Sequence, residues 1–482
     1  MLLIFVFDGL RPELVRPDLM PRLCALRNAG TWFDHSHCVF PPVTRVNAAS
    51  LATGSLPGTH GISGNTLYLP DAAGALPFGT TASVDVLRSL RTGPNAPLLT
   101  VPTLAAVLGA AGRRTAVVGT GSPGSAYLLS PEASRHRGVV FHYCFSEPPG
   151  LLARVTRRLG PHAGREITDD PETLIARVEY AARALTDAIV PEVRPDLLYF
   201  WSTIPDALHH RYGLGSFEAL QGLTAVDGIF GDLVDRLGWW FGGALDVIVT
   251  SDHGYATVSG IVDVGARLRE QGFPVGGGAA PASLTVDGSA AHLFLNRASG
   301  TYDAALRGSL AAFLLKDPGI AAVFTADGSG GSFRHEDAGV ACARAAAVIV
   351  CLPWQHGDNG RGVAGLSLGG GRIPVGGGDH GGCSPFELRN ALIACGPSFK
   401  RGTSRLPAGI IDIAPTVCHL LGLQPPAAWD GRVLFEAHVA DRDGETPAPV
   451  TNEIRKVGAG GRTLLSDRTG HARYLHAAGY IA

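Results

Sequence analysis

At 482 residues, with 45% hydrophobic and 17% charged, the chain has the composition of a globular protein able to bury a large core. Its 40 basic and 42 acidic residues leave a net charge of -2, which excludes a broad basic face for nucleic acid. No apolar run approaches the roughly 18 residues of a membrane helix, so no membrane partner is expected.

The opening "MLLIFVFDGL" has a short apolar run that ends in an acid and lacks the basic start and cleavage site of a secretory leader. The eight cysteines (24, 38, 144, 342, 351, 383, 395 and 418) show no CxxC spacing. They read as reduced thiols, so a cytoplasmic protein is expected.

In chain order, "LLIFVF" (2–7) predicts a buried strand, followed by a helix over 20–30. A helix over 102–112 leads into a strand at 114–119, and a long amphipathic helix at 171–190 feeds a strand at 196–202. A helix at 223–240 leads to "LDVIVTSDHG" (245–254). Strands alternating with helices imply an α/β fold, a mostly parallel sheet flanked by helices.

Between 255 and 378 the rhythm changes, and "AHLFLN" (291–296), "YDAALRGSLAAFLL" (302–315) and "AAAVIVCLP" (345–353) predict a small α+β insertion. The core resumes at 379 and closes with a helix at 410–423. The expected organisation is a core of 1–254 and 379–440, a cap subdomain of 255–378, and an unassigned tail of 441–482. Glycine triplets at 276–278, 369–371 and 376–378 read as flexible loops, because none sits in a phosphate-binding strand–loop–helix context.

In parallel sheets the loops after the strand C-termini hold the site. Asp8, Asp206, His210, Asp252 and His253 all fall there, and His380 lies where the core resumes. Six such ligands plus one hydroxyl are what two adjacent divalent cations require. Asp206 and His210 are one helical turn apart and project from one face.

The hydroxyl candidate is Thr44, in "VFPPVTRVNAASLATGSLPGTHGISGN" (39–65). Pro41 and Pro42 delay the helix so that it starts at Thr44, where N–H groups and the dipole favour an anion. Asn47, one turn on, is expected to offer its amide to a phosphoryl oxygen. Arg45 is a candidate substrate contact. Taken singly, Asp8 and Thr44 read as caps, and Asp206 with His210 as a surface pair. His60 and His209 read as structural, Asp379 as an orienting group, and Asp227 and Asp232 as solvated helix positions. The aromatic run at 239–241 reads as core or interface.

The segments "FDG", "FPPVTRVNAASLATGSLPGTHGISGN", "PDALHHRYG", "TSDHG" and "DHGG", with the closing "DIAPTVCHLLGL", occur in one order between residues 4 and 432. They resemble the nucleotide pyrophosphatase/phosphodiesterase branch of the alkaline phosphatase superfamily, close to the phosphonoacetate hydrolases. The resemblance implies one metal on Asp8, Thr44, Asp252 and His253 and a second on Asp206, His210 and His380. Both would be zinc, with manganese as the alternative.

It further implies hydrolysis of a phosphodiester or pyrophosphate bond in a small phosphate- or phosphonate-containing substrate, through a phospho-threonine. A C–P hydrolase, a phosphomonoesterase and a non-catalytic metal-stabilised binding protein are the alternatives. The chain departs from the family at Arg45-Val46, where an aromatic-Pro pair is usual, at Ala48-Ala49, and at His209, where glycine is common. No lysine near a motif is available to hold a phosphonate's carboxylate.

Overall fold

The computed structural model describes residues 1–68, 78–92, 97–162, 170–276, 280–295, 304–439, 449–457 and 461–481. Leu2–Phe7 forms the middle of a nine-stranded sheet, paired in parallel with Leu197–Ser202 on one side and Asp246–Thr250 on the other. Thr115–Gly119 and Val139–His142 continue the parallel half. Leu392–Cys395 pairs antiparallel to Asp246–Thr250 and turns the remaining edge.

All six residues of Leu2–Phe7 are buried, as expected of a strand covered on both faces. Strand alternation divides them between two cores. Leu2, Ile4 and Val6 meet the helices Thr44–Thr53 and Ile413–Leu420. Leu3, Phe5 and Phe7 meet Pro171–Arg183 and Phe217–Trp240. Phe5 lies 4.9 Å from both Phe200 and Phe230, and each such aromatic burial contributes about 1.5–3 kcal/mol.

The helices begin where local chemistry satisfies their first N–H groups. Asp170 accepts from the Thr173 N–H and Ser216 from the Ala219 N–H. The expected solvated position of Asp227 is overturned. Its carboxylate is buried and accepts the N–H groups of Arg22 and Leu23, capping the helix Pro21–Ala29 from a distant part of the chain. Trp239 is 81% exposed and Trp240 45%, so neither is core, whereas Phe241 packs against the core.

Beyond the main sheet, Ala282–Asp287, Ala290–Leu295, Val348–Cys351, Ala322–Thr325 and Phe333–Arg334 form a five-stranded sheet covered by the helix Ala304–Leu314. Ala256–Ile261, Trp354–Asp358, Ala364–Gly369 and Gly378–Asp379 form another. The glycine triplet 376–378 is therefore no loose loop. Gly378 is paired with Thr257, and a Cβ on it would stand 2.6 Å from Leu214 Cδ1. Of the triplet at 276–278, only Gly276 is among the described residues.

The part of the tail that is described forms a three-stranded antiparallel sheet of Val450–Val457, Arg462–Thr469 and Ala472–Gly479. Its buried Tyr474 donates to Asp412 Oδ2 at 2.8 Å and joins the core. Among the described residues no helix is long and apolar enough to cross a membrane.

Candidate metal centre

Three parallel strands end together, and each delivers acids at its C-terminus. Asp8 follows Phe7, Asp206 follows the turn after Ser202, and Asp252 follows Thr250. The Asp206 N–H donates to the Asp8 carbonyl at 3.0 Å, locking two of these loops together. Asp8, Asp252 and His253 offer ligand atoms within 4.8 Å of one another, as do Asp206, His253 and His380, and His210, Asp379 and His380. His253 Nε2 stands 3.5 Å from Asp8 Oδ1, 3.2 Å from Asp252 Oδ2 and 4.0 Å from Asp206 Oδ1. Asp206 Oδ1 lies 3.4 Å from His210 Nε2 and 3.5 Å from His380 Nε2, and these two nitrogens are 3.2 Å apart.

The imidazoles are aimed by their other nitrogens. His210 Nδ1 faces the Gly378 carbonyl at 2.9 Å, His253 Nδ1 that of Gly254 at 3.0 Å, and His380 Nδ1 that of Pro42 at 2.8 Å. A carbonyl only accepts, so each Nδ1 carries the hydrogen and each Nε2 presents a lone pair to the cleft. The carboxylates are held likewise. Trp201 Nε1 donates to Asp8 Oδ2 at 2.8 Å, the Gly9 N–H to Asp252 Oδ1 at 2.9 Å, and the Tyr255 hydroxyl to Asp206 Oδ1 at 2.5 Å.

What remains is unsatisfied. Asp8 Oδ1 and Asp252 Oδ2 are buried with no hydrogen-bond partner. Burial, then Asp252 and Asp206, pushes the Asp8 carboxyl well above the usual range, and burial also raises Asp252. Burial would raise Asp206 too, but His210, His380 and His253 hold it well below. Crowded acids with orphaned oxygens, facing imidazole lone pairs, make a cluster that could hold a divalent metal ion.

Thr44 opens the buried ten-residue helix Thr44–Thr53, and its Oγ1 lies 3.5 Å from His253 Nε2. The expectation for Asn47 is not met. Its Oδ1 accepts from the Val39 N–H at 2.9 Å and its Nδ2 donates to the Val43 carbonyl at 3.2 Å. Fully buried, Asn47 shapes the loop that delivers Thr44 instead of facing a ligand.

Asn65 instead approaches the first turn of this helix. Its Oδ1 accepts from the Arg45 N–H at 3.4 Å, and its amide nitrogen makes no hydrogen bond among the described residues. Arg45 follows Thr44 in the first turn of the helix and is half-buried. Arg372, which no motif singled out, donates to Asp379 Oδ1 at 3.1 Å and reaches within 3.5 Å of His210 Nε2. Asp379 thus orients the loop of His380, whose N–H it also accepts at 3.0 Å. Trp201, Tyr255 and Arg372 carried no local signal, whereas Asn65 stood at the end of the nucleophile segment itself. His60 is structural, its ring engaged by Ser50 at 2.9 Å and by the Ile62 N–H at 3.2 Å.

Known proteins share this framework. Over 88% of the chain it superposes on 95% of murine ectonucleotide pyrophosphatase/phosphodiesterase 5, in an inactive T72A form complexed with AMP, at TM-score 0.61 and 16% identity. It matches the wild-type alkaline phosphatase PafA over 91% of the chain and 98% of that protein, at TM-score 0.68 and 18% identity. Both likenesses are of fold.

In sequence it is 24% identical over 263 residues to a venom phosphodiesterase of Macrovipera lebetinus, covering 54% of this chain and 26% of that one. A venom phosphodiesterase of Crotalus adamanteus is 26% identical over 261 residues, covering 54% and 27%. The chain therefore spans about a quarter of the length of the curated relatives it matches. The family model described as type I phosphodiesterase / nucleotide pyrophosphatase matches residues 2–324, from the first strand through both sets of strand-end acids. The chain belongs to the type I phosphodiesterase / nucleotide pyrophosphatase family.

Proposed function

We propose that the chain is a metal-dependent hydrolase of phosphodiester or pyrophosphate bonds in small nucleotide-like substrates, with Thr44 as its nucleophile. The observation that carries this is the Thr44 hydroxyl, set at a helix N-terminus and 3.5 Å from His253 Nε2, beside carboxylate oxygens that no protein group satisfies. Asp8, Thr44, Asp252 and His253 would hold one divalent cation and Asp206, His210 and His380 the other, zinc by donor type and manganese as the alternative. Such a pair lowers the pKa of a bound hydroxyl and stabilises the entering and leaving oxygens of an in-line displacement.

The chain's own groups do the rest. Thr44 Oγ1 loses its proton and forms a bond to phosphorus as the leaving oxygen departs and takes up a proton, which leaves the substituted phosphoryl group on threonine. Water then breaks the threonine–phosphorus bond, releasing the phosphomonoester and restoring the hydroxyl. The Thr44 N–H in the first helical turn and the Asn65 amide would hold a non-bridging oxygen. Trp201, the Gly9 N–H and Tyr255 keep Asp8, Asp252 and Asp206 in place while charge builds up.

Two relatives support the reading. The murine phosphodiesterase 5 variant described as inactive replaces a threonine with alanine. A PafA variant carries substitutions at a threonine and at an asparagine separated by the same number of positions as Thr44 and Asn65.

Thr44→Ala is expected to lower turnover of bis-p-nitrophenyl phosphate at least about a thousandfold while the protein keeps its metal. Metal content by elemental analysis and initial rates are the two measurements. Unimpaired turnover by a metal-loaded Thr44→Ala protein would sink the mechanism.

A further inference from the structure

Arg45 is the one arginine at the cleft whose charge has no assigned work. Its guanidinium donates no hydrogen bond and makes no ion pair among the described residues, although its Nε is buried. Other buried arginines are spent. Arg11 donates to the carbonyls of Tyr255 and Ala364 at 3.1 and 2.6 Å, and Arg462 to those of Ile320 and Asp317 at 3.1 and 3.2 Å. Arg307 meets Asp327 at 2.6 Å. Arg45 is half-buried, its Nε sealed and its terminal nitrogens open to solvent next to the nucleophile, so their donors are free for an anionic ligand.

Burial opposes the charge of Arg45, and Asp287, Asp8 and Asp206 then favour it, while Arg372 opposes it. Among the described residues it forms an ion pair with none of these acids, which act on it only from a distance. Cations on Asp8 and Asp206 would cancel their pull, leaving Arg45 offset by Asp287 alone.

We propose that Arg45 is a specificity-determining residue whose guanidinium takes a second negative charge of the substrate, so that the preferred phosphoryl compounds are dianions. This rests on the Thr44-centred reading above. A diester phosphoryl group carries a single charge, for which the cation pair and the Asn65 amide suffice. A monoester carries a second charge on the reacting phosphoryl group, and a pyrophosphate or a phosphonocarboxylate carries it on a neighbouring group. Both match the fork of donors that an arginine presents.

The test compares wild type, Arg45→Ala and Arg45→Lys, each zinc-loaded and checked for metal content and melting temperature. The substrates are p-nitrophenyl phosphate, phosphonoacetate and the monoanionic bis-p-nitrophenyl phosphate. Arg45→Ala is expected to lower kcat/KM about a hundredfold on at least one dianion and less than about threefold on the diester, with Arg45→Lys recovering part of the loss. Loss on p-nitrophenyl phosphate places the second charge on the reacting group, and loss on phosphonoacetate alone places it on the neighbour.

An equal loss on all three substrates, or no loss on either dianion, overturns the proposal. Binding supplies an independent readout, with calorimetry of inorganic phosphate and dimethyl phosphate on the Thr44→Ala protein, with and without Arg45→Ala. Removing Arg45 should weaken phosphate alone, and unchanged phosphate affinity overturns the proposal. A wild type inactive on every ester, yet binding phosphate through Arg45, would sink the hydrolase reading and leave this one standing.

Discussion

Glu387 shows how one buried side chain couples the centre to pH. Its Oε2 accepts from Ser289 Oγ at 2.6 Å and from the Gly382 N–H at 2.7 Å, bracing the loop beyond His380, while its Oε1 has no partner. Burial raises its carboxyl from 4.5 to about 7. A raised carboxylate stabilises the fold while protonated, so its contribution is present below 4.5 and is lost as pH rises through about 7.

Glu387→Gln removes that titration. Across this window the wild type should lose up to about 3 kcal/mol relative to the variant, read by denaturant unfolding of the metal-free proteins at a series of pH values. Parallel pH profiles would show that the ionised carboxylate costs nothing.

At the same scale, Asn47 and Asn65 show the limit of local reading. One turn of helix does bring Asn47 beneath Thr44, but on the side where Val39 and Val43 claim its amide. Asn65 arrives from beyond the helix through the turn after Gly61, which spacing along one helix does not reveal.

Among the elements, the hairpin of Ala282–Asp287 and Ala290–Leu295 bears directly on the metal centre. Its turn residue Gly288 has φ +60°, and a Cβ there would lie 1.9 Å from the His380 carbonyl oxygen and 2.8 Å from Asp379 Oδ1. Only glycine lets the hairpin seat against the loop of His380. Gly288→Ala should therefore displace His380 while sparing Asp8, Asp252 and His253. We expect zinc titration to show one of two sites weakened, and kcat/KM to fall at least about tenfold. Two undisturbed sites would mean that the loop adapts.

A separate close approach fixes the end of the glycine triplet at 376–378. Gly378 is glycine because Leu214 and a strand pairing leave no room for a side chain, and its carbonyl orients His210.

For the molecule as a whole, the acidic centre makes the metal-free fold carry its own repulsion. Asp8, Asp206 and Asp252 converge beneath the ends of the central strands, two of them with an orphaned oxygen. Cations binding only the folded state should add about 3 kcal/mol per ion at a hundredfold excess over Kd. Chelator should thus lower the melting temperature, and zinc should restore it. Melting that ignores both would remove the metal reading altogether.

The alternation of Leu2–Phe7, the capped helices and the acids directly after strands were legible in the sequence, because each depends on neighbours within a few residues. So was the convergence of Asp8, Asp206, His210, Asp252, His253 and His380, since parallel strands end on one side. Tertiary structure alone decided which groups aim and hold them. Trp201 and Tyr255 reach their acids, and Arg372 its partner, through side-chain direction across the assembled sheets. Asp227 is a cap only because a helix from the other end of the core lies against it. Arg45 is unpaired because the fold buries its Nε and, among the described residues, sets no acceptor within reach of it, and no pattern along the chain encodes the absence of a neighbour.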